Sequence, residues 1–204
     1  MQPSFVRAAR TTDAATIAQL HWDVLHGPYR RLIPSEVMEN LDHEWMVNRW
    51  REAIESPPDH YSRVYVAVDK TSSPAAIART GQSDLQQDGA SLGETVVGFA
   101  AVTLPEPDSG VPNFQQSAFI EPIIVAEGHR RQGHGSRLLA AAVDHWREGK
   151  IRYAYALVLA GDSDTENFLA GSGWAPEGTE YRHTSPAANV VQRRWHTDIS
   201  MTEE

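Results

Sequence analysis

The chain has no cysteine in its 204 residues. That excludes a disulfide framework, thiolate nucleophiles and cysteine-based metal sites. No apolar run approaches the ~18 residues of a helical membrane span. The first ten residues also lack the apolar core of a signal peptide. A cytoplasmic protein with no membrane partner is therefore expected. Basic side chains are scarce too: 18 Lys and Arg stand against 27 Asp and Glu, for a net charge of −9. Affinity for nucleic acid comes mainly from Lys and Arg, so the balance argues against a general nucleic-acid binder, and no nucleic-acid partner is expected. The acidic balance favours a cationic partner and keeps the chain soluble. No internal repeat or heptad pattern is visible.

What is present suffices for a full core: apolar residues make up 41% of the chain, with six Trp. Length and pattern predict a single mixed α/β domain over residues 1–204. Phe5–Ala9 reads as a first strand. A helix with the stripe Ile17, Leu20 and Val24 follows, opened by Thr11 to Asp13 and stopped at Gly27-Pro28. Pro34-Ser35 and Asp42 start further helical segments that end before Pro57-Pro58. Strands are expected at 63–68, 95–102, 117–125 and 153–159, then around 179–183 and 190–199, about seven in all. Residues 70–94 are rich in Ser, Gly, Gln and Asp and read as a mobile insertion loop. Ser163-Asp164-Thr165-Glu166 has the spacing of a capping box, which makes Ser163 the expected cap of a short helix.

The most informative stretch is His129-Arg130-Arg131-Gln132-Gly133-His134-Gly135-Ser136, set between an apolar strand and an apolar helix. A glycine-rich basic turn that ends a strand and opens a helix presents free N–H groups and a favourable dipole to an anion. Arg130 and Arg131 can add charge-assisted hydrogen bonds. The glycines permit close approach of a ligand. The turn lacks the Gly-Lys-Ser/Thr ending of a phosphate-binding P-loop, and no acidic residue follows on the strand around 153–160, which counts against a nucleotide-binding α/β protein. Nine His invite a metal reading. None forms a His-Glu-x-x-His set, so no metal is expected, and the ring of His134 is given no role.

The strand–Arg130-x-x-Gly133-x-Gly135–helix unit resembles the acetyl-CoA motif of the GCN5-related N-acetyltransferases, the GNAT superfamily. The likeness extends over nearly the whole chain: FVRAARTTDAATIAQLHWDVLHGPYRRLIP, VVGFAAVTL, NFLAGSGWAPEG and VQRRWHTDI each match a family segment in order. The resemblance implies a mostly antiparallel central sheet, helices on both faces and a splayed cofactor strand. It implies that acetyl-CoA rests its pyrophosphate on the backbone of Gln132, Gly133, His134, Gly135 and Ser136, beside Arg130 and Arg131. The pantetheine arm would pair with Ile123, Ile124 and Val125. Pro122, which cannot donate to a ladder, suits a disrupted strand. The resemblance also places Trp22, His26 and Tyr29, with Arg31 nearby, at the border of the acceptor pocket. Family members are often dimers, so a homodimer is a further expectation.

Glu121 is the candidate general base. An alkylammonium acceptor, with a pKa near ~10, must lose a proton before it attacks. Alternation places Phe119, Glu121, Ile123 and Val125 on one face. A carboxylate there is either partnered by a nearby Arg or amide, or raised in pKa and ready for proton transfer. In many family members a Tyr follows the position of Phe168 and protonates the leaving thiolate; here that residue is Leu169. Ser163, Tyr153, Tyr155 and Tyr181 are the other hydroxyls considered. The expected function is transfer of an acetyl group from acetyl-CoA to a primary amine by direct attack in a ternary complex. The alternative is an acyl-CoA binding or sensing module that has lost its chemistry.

Overall fold

The structure is a computed structural model that describes residues 4–70, 93–107, 109–185 and 188–200. Most of the expected insertion at 70–94 lies outside them. Twelve main elements follow in the order β1 (Ser4–Ala8), α1 (Ala14–His26), α2 (Ser35–Glu39), α3 (His43–Glu55), β2 (Arg63–Lys70), β3 (Glu94–Thr103), β4 (Ser117–Val125), α4 (His134–Glu148), β5 (Tyr153–Leu159), α5 (Ser163–Gly171), β6 (Ala175–Ser185) and β7 (Ala188–Asp198). The seven strands form one sheet in the order β1-β2-β3-β4-β5-β7-β6. Every neighbouring pair is antiparallel except β4 and β5. No helix among the described residues is long and apolar enough to cross a membrane.

Side-chain periodicity sets the layers. Leu138, Leu139, Ala142 and Trp146 form the buried stripe of α4 and pack with Tyr65, Ala67, Ala100, Ile120, Ala156 and Trp195 on one sheet face. Truncating Trp146 to Ala would cost about 3–5 kcal/mol on this ground alone. The other face, carrying Val64, Val66, Val68, Phe99 and Ile124, packs under Ile17 and Val24 of α1 and against Trp50 and Ile54 of α3.

Helix starts differ in one respect from the sequence reading. Asp42 caps α3 as expected, accepting from the Trp45 amide at 2.6 Å. The cap of α5, however, is Asp162 and not Ser163: the Asp162 carboxylate accepts from the Thr165 amide at 3.2 Å. Asp and Ser are equally good caps, and the capping-box spacing favoured Ser163 only because it precedes Glu166 by three residues.

β4 is the strand that shapes the site. On its β3 side, Ala100 faces Ile123 and Val102 faces Ile120, so Glu121 and Pro122 together oppose Ala101. This is a β-bulge, and it reverses the facing of every residue beyond it. The expected single face of Phe119, Glu121, Ile123 and Val125 is therefore wrong. Ala118 and Ile120 lie on the α4 side, and past the bulge Ile123 and Val125 take that side. Phe119 packs instead beside Tyr155, with ring centroids 5.6 Å apart. On the β5 side, pairing runs only from Ser117–Tyr153 to Ile120–Ala156. From Glu121 onward β4 leaves β5, which forms the splay that the family resemblance implied.

Candidate active site

The fork between β4 and β5 opens beside the N-terminus of α4. Two left-handed residues, Arg131 (φ 62°) and Gly133 (φ 81°), shape the turn that leads into that helix. Turns of this kind gather successive N–H groups into an anion-holding concavity. Among the described residues, the amides of residues 131–136 have no backbone acceptor, whereas the Arg137 amide bonds the Gly133 carbonyl at 3.1 Å. Gly135 sits in tight quarters: a Cβ there would stand 3.3 Å from the Phe168 ring.

Basic side chains ring this turn. Arg130 reaches back to the Val125 carbonyl at 3.4 Å and faces Asp164 at 3.4 Å. Gln132 is tied to the Gly128 carbonyl at 3.2 Å. Arg137 went unnoticed in the sequence reading. Its guanidinium lies against Gly133 and donates to the Gln132 carbonyl at 3.3 Å, while its buried Nη1 has no partner. A cation in the first turn of a helix opposes the dipole unless it serves an anion. The signal was in the sequence, since Arg137 stands four residues after Gly133 on the same helical face. Free amides, a glycine at close approach and an orphaned guanidinium nitrogen suit a diphosphate group.

Glu121 stands at the point of the fork, the first residue of β4 beyond its pairing with β5. Its Oε1 accepts from Gln192 Nε2 at 2.6 Å, and Gln192 Oε1 pairs with His183 Nε2 at 2.9 Å. The amide partner anticipated as one alternative is thus Gln192, on β7. Solvent reaches part of the residue, yet protein crowds the carboxylate. Burial pushes the carboxyl above its ordinary value of 4.5, while the Gln192 hydrogen bond and the nearby His183 draw it back.

The expected acceptor residues divide. The Tyr29 hydroxyl donates to Asp162 at 2.7 Å, so Tyr29 bridges the segment after α1 to the start of α5. Burial, reinforced by Asp162, raises its pKa. Trp22 and His26 stack on each other, with centroids 4.0 Å apart, and Trp22 meets His43 of α3 edge-on. Among the described residues, no ring contact or hydrogen bond joins either of them to Tyr29 or Glu121.

Two of the hydroxyl candidates, Tyr155 and Tyr181, are engaged with Arg194, and the Tyr153 ring lies under Arg152. Leu169 is fully buried in the α4-side core, and it is Phe168 that reaches Gly135. Tyr155 is buried under the Arg194 guanidinium. Tyr181 accepts from Arg194 at 2.6 Å. Ser163 is the first residue of α5.

His134 departs from the reading that gave its ring no role. The ring is 2% exposed and faces Asp69 of β2, as does the ring of His129. Burial lowers the His134 pKa; Asp69 opposes that effect, and Arg137 and His129 add to it.

Three comparisons with known proteins bear on this arrangement. The model of the acetyltransferase (GNAT) family matches residues 44–171. A search of curated proteins finds no match. Among solved structures, yncA from Salmonella typhimurium, named as a candidate acetyltransferase and solved with its cofactor acetyl-CoA, is 14% identical; the match covers 99% of this chain and 97% of that one, with a TM-score of 0.62. An N-acetyltransferase from Staphylococcus aureus is 14% identical over 97% of this chain and 99% of its own, with a TM-score of 0.65. A GCN5-related N-acetyltransferase from Kribbella flavida is 18% identical over 96% and 97%, with a TM-score of 0.63. These likenesses show the fold. The family match spans more than half the chain and takes in the fork, the turn and α4, and by it the chain belongs to the acetyltransferase (GNAT) family, which uses acetyl-CoA.

Proposed function

We propose that the protein transfers an acetyl group from acetyl-CoA to a primary amine by direct attack within a ternary complex. The observation that carries this reading is the position of the Glu121 carboxylate, at the point where β4 parts from β5 and four residues before Val125, where that strand meets the anion-holding turn. Acetyl-CoA would supply the activated acetyl thioester. The amides of Gln132, Gly133, His134, Gly135 and Ser136, with Arg130, Arg131 and Arg137, would hold its diphosphate. The free edge of Ile123, Ile124 and Val125 would hold its extended arm, and a backbone N–H there would polarise the reacting carbonyl.

Glu121 would take the proton from the acceptor ammonium, and its raised pKa makes it a better acceptor for that proton than an ordinary carboxylate. Gln192 holds the carboxylate at the fork. No hydroxyl stands at Leu169 to protonate the departing thiolate, and coenzyme A thiolate leaves well enough for water to serve. Tyr29, and with it Trp22 and His26, would border the acceptor. The net charge of −9 favours a cationic acceptor.

The test is thiol release from acetyl-CoA across a panel of amines, run beside calorimetry with coenzyme A. Turnover with at least one amine is expected. A specific observation favours a second reading, that of a binding or sensing module: the position usually held by the acid is a buried Leu169. Tight coenzyme A binding with no thiol release on any amine would establish that reading instead.

A further inference from the structure

We propose that Asp69, His129 and His134 form a divalent-cation site of the zinc type that clamps both ends of the phosphate-holding turn to strand β2. Asp69 is the penultimate residue of β2, His129 precedes the turn, and His134 opens α4. One ligand atom from each lies within 4.8 Å of the other two. His129 Nδ1 is 3.2 Å from Asp69 Oδ2, and His134 Nε2 is 3.5 Å from Asp69 Oδ1. A tetrahedral zinc ion with ordinary bond lengths holds its ligand atoms about 3.3 Å apart. Two imidazoles and one carboxylate make a donor set that suits zinc and leaves a fourth position for water. Among the described residues, this is the one group of three such side chains gathered to this degree.

A second observation points to a missing partner. His134 is 2% exposed, and its Nε2 faces Asp69 Oδ1 at 3.5 Å, too far for an ordinary hydrogen bond. A plain Asp–His pair would serve His129 and leave the Asp69-facing nitrogen of this buried ring without a close partner. A cation between the three groups would draw Nε2 and the carboxylate together. It would also offset the charge of Asp69 beside a turn that holds an anion. The site does not depend on acyl transfer and would exist in a protein that only binds its ligand.

The test uses the full chain, freed of any affinity tag and of metal, in the absence of coenzyme A. Zinc is titrated in competition with a chromophoric chelator, and cobalt(II) is followed by its visible absorption. One equivalent of zinc should bind, with a tetrahedral cobalt spectrum and a rise in Tm. Asp69→Asn and His129→Ala should each weaken zinc by at least about tenfold, since even outer-shell changes at metal sites cost that much. His60→Ala, at an exposed position away from the cluster, should leave binding unchanged. His129 is half-exposed, so its Ala variant is expected to fold even where a change at His134 would not. Failure of the folded wild type to compete with the chelator would overturn the proposal. So would one-equivalent binding that neither variant weakens.

Discussion

The two sides of the β4–β5 fork are built by different means. The proposed donor side is local: Val125, the turn and Arg137 lie within about a dozen residues of one another in the chain. The proposed acceptor side is assembled from afar. Glu121 meets Gln192 across 71 positions, and Tyr29 meets Asp162 across 133. A local site can hold its ligand even if distant parts of the sheet shift. The Glu121 network depends on β7 being in register.

The sharpest way to break this comparison is Glu121→Gln. It should lower kcat by about 10²–10⁴-fold, the usual contribution of a general base, while calorimetric affinity for coenzyme A stays within about twofold. Full activity across the pH range would remove Glu121 from the chemistry. Arg137→Ala should do the converse. Losing hydrogen bonds to a charged group costs roughly 1.5–3 kcal/mol. The KM for acetyl-CoA should therefore rise about tenfold to a hundredfold with kcat little changed, and an unchanged KM would mean that the orphaned Nη1 serves no ligand.

Gln192→Leu separates the base from its support. In the proposed mechanism activity requires the ionised carboxylate, so the rate should fall as pH drops through the Glu121 pKa. The Gln192 hydrogen bond holds that pKa down. Removing it should move the acidic limb of the pH–rate profile to higher pH, and a shift to lower pH would contradict the arrangement. The smallest effect on ligand binding is expected from Tyr29→Phe, which deletes one donor to the Asp162 carboxylate. Its cost should be about 1.5–3 kcal/mol of stability by denaturant titration, with coenzyme A affinity retained.

Sequence made the donor side legible because its signals are short-range. Gly133 and Gly135 mark the turn, and the apolar runs on either side supply the strand and helix that define it. The acceptor side was legible only as residue types. Glu121 was noticeable as a carboxylate in an apolar strand, but its face was misjudged, because a bulge leaves no mark beyond Pro122 and shifts the period by one. Leu169 was compared with a catalytic position although its own helix turns it into the core. Asp69 offered nothing to connect it with His129 and His134, 60 or more positions away, until β2 was placed beside the turn.

The pairing of β4 with β5 has a mechanical consequence. In backbone pairing, only the stretch from Ser117–Tyr153 to Ile120–Ala156 joins the β1–β4 half of the sheet to the β5–β7–β6 half, with α4 packed across both. A molecule seated in the fork would lie along the seam between two partly independent plates. Occupancy would then act as a removable rivet, and the free protein should open along that seam at lower free energy than it unfolds as a whole.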